Sequence, residues 1–185
     1  MPILGVVASS ISGNLYKSSF DSIATVTVGA GGQGGISFTS IPSTYTHLQI
    51  RGIARSTGAT NGENISVYVN NITATTNYAW HVLRGNGTSG QSFGGSGNYI
   101  IGNIGVPNAS NTFATFVIDI LDYTNTNKNK TIKTLYGFDS NGVGVVGMGS
   151  VLAPTISAIS QIDLFMSYNF AQYSSFALYG IKGVA

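Results

Sequence analysis

Carboxylates are the side chains best suited to hydrolytic chemistry, and this chain has six Asp and Glu residues in total. Asp119 and Asp122 lie three residues apart in a stretch with strand-like alternation, so their side chains are expected on opposite faces unless a bulge intervenes. Glu63 and Asp163 are isolated in the sequence. A glycosidase needs two carboxyl groups about 5 to 10 Å apart. Only a tertiary contact between Asp119 and Asp163 would supply that pair, so the sequence predicts no catalytic residues and a protein that is not an enzyme.

The sequence likewise offers little evidence for a metal-binding or phosphate-binding site. His47 and His81 are the only histidines, and neither lies at a metal-ligand spacing or beside a nucleophile. Gly29–Gly35 and Gly85–Gly97 lack the helix N-terminus and the lysine of a phosphate-binding loop, so both are interpreted as flexible corners or loops. Asp139–Gly142 has too few acidic ligands for calcium and is interpreted as a turn. We therefore expect no metal and no cofactor.

Aromatic side chains offer the more promising binding chemistry, with ten Tyr, nine Phe and one Trp in the chain. A flat aromatic face stacks on the C–H bonds of a sugar ring while amide or guanidinium groups bond its hydroxyls. One region combines these groups, where aromatics precede a predicted loop over Arg84–Gly97. The candidate surface or glycan contacts are Tyr78, Trp80, His81, Arg84, Asn86 and Phe93. The same residues could equally serve as core and subunit contacts.

Composition restricts the class of protein. The chain has 185 residues, enough for one domain with a sizeable core, and no cysteine. Charged residues make up 8% of it, against about 25% in an average domain. Such a surface gives little repulsion between copies, which favours a homo-oligomer. The net charge of +2 gives no basis for nucleic-acid binding, and no apolar segment is long enough for membrane insertion.

Apolar residues alternate with polar ones along most of the chain, whereas helical periodicity is almost absent. Strands are predicted over Ala24–Val28, Ile36–Phe38, the segment with Leu48 and Ile50 on one face, Ile65–Val69, Tyr78–Leu83, Tyr99–Ile104, Phe113–Tyr123, Thr131–Phe138, Val143–Val151, Ile159–Met166 and Phe176–Ile181. The fold class is therefore all-β, an antiparallel β-sandwich of jelly-roll-like type. Residues 1–20 are predicted to be an N-terminal arm or first strand, and residues 21–185 a single β-sandwich domain.

Two segments between these elements carry further predictions. Phe113–Leu121 is apolar on both faces, which indicates a central strand covered by the opposing sheet and by a subunit neighbour. Thr124–Asn129 is rich in Asn and Thr and predicts a hairpin turn, with Lys128 and Lys130 keeping its tip solvated.

Two stretches of sequence carry a family resemblance. Residues Ser37–Ser56, SFTSIPSTYTHLQIRGIARS, resemble a segment of tailed-bacteriophage virion proteins in which a Phe-Thr-Ser-Ile-Pro strand end precedes a Tyr-Thr pair, an apolar strand and an Arg. Residues Ala153–Gly183, ending in Leu-Tyr-Gly-Ile-Lys-Gly, are similar to the closing hairpin of that family. The resemblance implies a β-sandwich module on a phage particle, commonly trimeric and at the exposed end of a tail fibre. It brings no established catalytic residues.

The expected function is therefore that of a non-enzymatic virion structural protein, a tail-fibre or receptor-binding-type module that contacts the host surface and its glycans. It would be assembled with other virion proteins in the bacterial cytoplasm. Because the first motif begins at Ser37, little room is left for a shaft, which favours a short tail appendage or a decoration protein seated directly on the capsid. The alternative is a capsid decoration protein that stabilises or ornaments the head.

Overall fold

The computed structural model describes residues 19–59, 62–97, 102–104, 111–140 and 142–183. Nearly all of its regular structure is β. The strands are β1 (Phe20–Thr27), β2 (Gln33–Phe38), β3 (His47–Ala54), β4 (Glu63–Val69), β5 (Ala79–Gly85), β6 (Gly90–Ser96), β7 (Gly102–Ile104), β8 (Ala114–Ile120), β9 (Lys130–Asp139), β10 (Gly144–Ala153), β11 (Ile162–Phe170) and β12 (Ser175–Ile181). A short 3-10 turn, Thr75–Asn77, precedes β5, and no described helix is long and apolar enough to cross a membrane.

The strands form two antiparallel sheets. The larger has eight strands in the order β1-β12-β3-β8-β9-β10-β5-β6, and the smaller has four in the order β2-β11-β4-β7. Buried apolar side chains from both sheets form one cluster between them. The predicted all-β antiparallel sandwich is thus confirmed, whereas jelly-roll connectivity stays a prediction. Residues 1–18 of the predicted arm lie outside the described residues, and Phe20 begins β1.

Period-two alternation places side chains as the sequence predicts. In β3, Leu48 and Ile50 are fully buried, whereas Arg51 points outward and is exposed. β8 is the fourth of the eight strands, so the predicted central strand is confirmed. Its inner residues Phe116 and Ile118 pack in the core. Its outer face carries half-buried and exposed side chains, and their predicted cover by a subunit neighbour stays a prediction.

Glycine in the large sheet makes room for aromatic rings from neighbouring strands. A Cβ at Gly52 would lie 2.1 Å from the Phe116 ring, and a Cβ at Gly147 would lie 2.5 Å from Tyr136. In each case glycine and ring are cross-strand partners, Gly52 with Phe116 and Gly147 with Tyr136. Each ring therefore covers backbone that would otherwise have no side chain packed on it, as in other sheets where an aromatic compensates for glycine.

The two segments that carry the family resemblance meet in the fold. β3, from the first, pairs antiparallel with β12, from the second. The ring of Tyr45 lies over Gly180, where a Cβ would come within 2.3 Å of it. The backbone N–H of Gly183 donates to the hydroxyl of Thr46 at 2.8 Å. The Tyr-Thr pair and the glycines of the closing motif are thus packing partners.

One predicted solvated lysine is buried. Lys128 is exposed and bonds Asp122 at 2.6 Å, as a tip residue would. Lys130 is only 1% exposed. Its ammonium donates to the carbonyls of Lys128 at 3.0 Å, Thr155 at 3.4 Å and Asn125. Burial lowers the pKa of Lys130, with the charge of Lys128 adding to the effect. The prediction that Lys130 solvates the tip is therefore wrong, because the turn's own carbonyls hold it inside.

The glycine-rich segment predicted as a flexible loop over residues 85–97 is instead the turn and second strand of a hairpin. β6 pairs with β5 over its whole length, from Gly85↔Gly90 to Ala79↔Ser96. The connecting turn is closed by Asn86, whose Oδ1 accepts from the backbone N–H of Ser89 at 2.9 Å. Of the predicted strand at residues 99–104, only residues 102–104 are described, and they form β7.

The aromatic cover of glycine predicts a specific cost of adding one methyl group. Gly52→Ala should lower the free energy of unfolding by about 1 to 3 kcal/mol, because its Cβ overlaps the Phe116 ring in a packed core. Gly90→Ala is the matched control, since a Cβ there meets nothing within 4 Å, and it should change stability by less than about 0.5 kcal/mol. Urea titration of both variants measures the difference. Equal midpoints for the two variants would contradict the packing described.

Candidate functional site

The outer face of the eight-stranded sheet aligns polar side chains into a row. Strand register puts Gln49 opposite Asp119, Asp119 opposite Lys133, Lys133 opposite Ser150, and Ser150 opposite His81. The five residues come from five consecutive strands, β3 to β5 in sheet order. They form a continuous band across the sheet, called here the polar row.

A second row, two residues further along each strand, is aliphatic. Leu135, Met148 and Leu83 lie directly opposite one another on β9, β10 and β5. Their exposed fractions are 55%, 55% and 56%. Large aliphatic side chains this exposed, and adjacent to one another, are typical of contact surfaces. This band is called here the aliphatic row.

The two rows form the walls of a concavity of about 650 Å³, which is called here the sheet groove. Its lining includes His81, Leu83, Lys133, Leu135, Met148 and Ser150. Concavity on one face follows from the twist and coiling of a sheet with this many strands. The volume lies within the range of small-molecule and oligosaccharide sites.

Two polar groups of the groove are available to a ligand. The carboxylate of Asp119 accepts a hydrogen bond from the amide of Gln49 at 2.7 Å. Within the described residues, neither the ammonium of Lys133 nor the imidazole of His81 has a hydrogen-bond or ion-pair partner. Lys133 stands opposite Asp119 without forming an ion pair. The groove thus offers one cation and one imidazole beside an aliphatic wall, with the carboxylate of Asp119 opposite the cation.

The residues predicted from the sequence as glycan contacts do not form one surface. Tyr78 is fully buried, and its hydroxyl donates to the carbonyl of Ile72 at 3.0 Å. It cannot contact a ligand at the surface, so that part of the prediction is wrong. His81 lies on the outer face in the groove, whereas Trp80 packs against the core from the opposite face. Asn86 lies in the β5–β6 turn.

Arg84 and Phe93 are the two predicted contacts that the structure does bring together. The guanidinium of Arg84 lies 4.9 Å from the centroid of the Phe93 ring, and its Nε donates to Gln91 at 2.9 Å. Phe93 is 42% exposed. By strand register both share a face of the hairpin with Trp80, opposite to the face that carries His81. Phe93, on the edge strand, is nonetheless among the residues that line the sheet groove, as His81 is.

The acids discussed in the sequence analysis lie on separate parts of the fold. Asp119 lies in the large sheet and Asp163 in the small one, where Asp163 accepts from Gln161 at 2.9 Å. Asp122 lies in the turn after β8, where Lys128 lowers the pKa of its carboxyl group. Its backbone N–H donates to Nδ1 of His47 at 2.9 Å, so that histidine orders a turn. No group of three or more His, Asp or Glu residues that could hold a metal occurs in the part of the chain that is described.

Comparison with protein-family models, with curated protein sequences and with solved structures finds no match to this chain.

Sequence reasoning missed most of the groove. Lys133, Leu135 and Met148 were assigned to strands without a role. The signal available was an aliphatic side chain at an alternate position of a strand whose other positions also hold core residues, as at Leu135 in β9, where Ile132 and Tyr136 are buried. The register between four strands decides which of these side chains are neighbours. That register cannot be predicted from the sequence of any one strand.

On the inner face below the groove, hydroxyl groups differ in their bonding. Tyr136 is 3% exposed and its hydroxyl has no hydrogen-bond partner within the described residues. Tyr136→Phe should therefore be neutral or raise the free energy of unfolding by up to about 1 kcal/mol, whereas Tyr78→Phe, which removes a bonded hydroxyl, should lower it by about 1 to 2 kcal/mol. Thermal unfolding at pH 7 compares the two identical chemical changes, and a larger loss in Tyr136→Phe would contradict the assignment.

The Tyr136→Phe variant also has a pH signature. Burial raises the pKa of Tyr136 above its ordinary value of 10.0, with Arg84 partly opposing the shift. As the pH rises, the hydroxyl of Tyr136 therefore loses its proton at a lower pH in the unfolded chain than in the folded protein. The stability tied to neutral Tyr136 is complete below pH 10 and is lost as the pH rises through the folded-state pKa. Tyr136→Phe should accordingly lose less stability than the wild type above pH 10.

Proposed function

We propose that this protein is a non-enzymatic surface component of a tailed-phage particle, a receptor-binding-type module whose sheet groove contacts polysaccharide on the host surface. The resemblance of residues 37–56 and 153–183 to phage virion proteins supports the setting. Tyr45 of the first segment packs on Gly180 of the second, so residues that carry the resemblance contact each other in the fold. The receptor-binding role within the particle is inferred from the sheet groove.

The observation that carries the proposal is the two-walled chemistry of the groove. A pyranose ring presents axial C–H bonds on its faces and hydroxyl or carboxylate groups around its perimeter. The aliphatic row suits a C–H face, while Lys133, Ser150 and His81 suit the perimeter groups. The unpaired ammonium of Lys133 further favours a polysaccharide that bears carboxylates, because a charge-assisted hydrogen bond is stronger than a neutral one.

The affinity of one groove need not be high. It is open to solvent along one face of the sheet, and its aliphatic side chains are about half exposed. A particle that displays several copies converts later binding events into intramolecular ones, which multiplies avidity without new contacts. A charge-poor surface is compatible with that dense display.

Lys133→Gln tests the groove, since it removes the charge and retains most of the side-chain length. Its binding to an acidic surface polysaccharide from the host should be about tenfold weaker than that of the wild type, and the wild-type affinity should fall with salt. Arg51→Gln is the matched control, an exposed cation on the same face outside the groove lining. Equilibrium binding by the purified proteins gives the comparison. Unchanged binding in Lys133→Gln together with loss in Arg51→Gln would place the contact elsewhere.

The second candidate, capsid decoration, is favoured by the aliphatic row, which would seat equally well on a capsid shell. It predicts a copy number set by the capsid lattice. Particles lacking the protein should have heads that rupture more readily while adsorption to the host stays normal. Quantitative mass spectrometry of purified particles, with osmotic shock of the deletion mutant, separates this role from the first.

A further inference from the structure

The two edges of the large sheet differ in how they are protected. β1 has a register shift between Ser22 and Ala24, and its Asp21 pairs with Lys182 at 2.7 Å. Bulges and charges of this kind block the addition of a further strand. β6, at the other edge, has neither: its seven residues are GQSFGGS, and its ladder with β5 is regular throughout.

The edges of the small sheet are also protected. The described part of β7 has three residues, which offer little for another strand to pair with. The pairing of β2 with β11 is interrupted between Phe165 and Phe170. Among the described sheet edges, β6 therefore combines length, regularity and neutrality.

The glycine content of β6 also favours the addition of another strand at this edge. Three of its seven residues are Gly90, Gly94 and Gly95, a composition that weakens a strand paired on one side only. Its outer positions are Gly90, Ser92, Gly94 and Ser96, all small, and the His81 ring covers Gly94 from the neighbouring strand. Small residues let another backbone approach the edge closely. Within the described residues β6 pairs with β5 alone, which leaves one row of its backbone hydrogen-bonding groups without a strand partner.

We propose that β6 is an assembly edge along which two copies of this chain pair antiparallel about a two-fold axis. Centring the axis on Phe93 puts Phe93 opposite the same residue of the second copy, and Ser92 opposite its Gly94. The absence of charge from β6 suits pairing with its own copy, because two-fold pairing sets each residue near the same residue of the second copy and any charge would repel itself. The exposed Phe93 ring gains an aromatic partner, while small residues adjoin on the other face.

This pairing continues the sheet from one copy into the next. The aliphatic row ends at Ser92 and the polar row at Gly94, since these residues pair with Leu83 and His81. Pairing Ser92 with Gly94 of the second copy joins the aliphatic row of each chain to the polar row of the other. The inference is independent of what the groove binds.

Because the chain has no cysteine, one introduced thiol reports the contact cleanly. Phe93→Cys should form a disulfide-linked dimer under mild oxidation, because directly opposite residues in an antiparallel pair lie about 4.5 to 5.5 Å apart at Cα, within disulfide range. Thr25→Cys, exposed on the protected edge strand β1, is the control and should stay monomeric on a non-reducing gel. If the strand added to β6 came from elsewhere in a neighbouring chain, the thiol introduced at position 93 would stay uncrosslinked, and that result would overturn the two-fold pairing.

A charge swap tests the same axis without a covalent bond. Positions 92 of the two copies are diagonal neighbours about 7 to 8 Å apart. Ser92→Lys should weaken self-association about tenfold, and mixing it with Ser92→Glu should restore a dimer in analytical ultracentrifugation. Thr25→Lys should associate as the wild type does. A monomeric wild type, or a trimer that Ser92→Lys leaves unchanged, would overturn the proposal.

Discussion

One constraint governs this structure: a sheet of eight strands is packed on one face against a sheet of four. The inner positions of the central strands are committed to that contact, and Ile50, Ile118, Ile132 and Val151 are fully buried there. Strand alternation then sends every second residue to the other face, where this core exerts no selection for apolar side chains. The exposed Leu83, Leu135 and Met148 consequently have no explanation in the fold of a single chain, and a contact surface supplies one.

The high glycine content follows from the same packing. From the composition alone, the 25 glycines of the chain would be expected in loops and turns. Several instead occupy strands, where Gly52, Gly147 and Gly180 lie beneath the rings of Phe116, Tyr136 and Tyr45. Large rings and missing side chains alternate across strands, which lets a wide sheet be covered closely without overfilling the space between the sheets. A composition that suggests flexibility is here part of the packed core.

The sequence predicted those parts of the fold in which each strand carries its own pattern. The positions of β3, β8 and β12 were predicted, and for β3 the inward face of Leu48 and Ile50 was predicted as well. β6 was missed because glycine and serine erase the pattern and leave only the pairing with β5 to define it. Lys130 was misplaced because its burial depends on carbonyls from Asn125 and Thr155, on separate segments. The groove could not be predicted, since it exists only through the register of neighbouring strands.

Scarcity of charge links the groove to the sheet edge. In a chain with 8% charged residues, two of the lysines are held by Asp122 and Asp21 in ion pairs that fasten a turn and the C-terminal strand. The ammonium of Lys133 has no such partner within the described residues, although the carboxylate of Asp119 stands opposite it on the neighbouring strand. Because β6 has no charged residue, two copies of this edge could meet without electrostatic repulsion. If they do, two grooves face one direction on a single rigid sheet, and a repeating polymer that binds one groove is held at high local concentration beside the second.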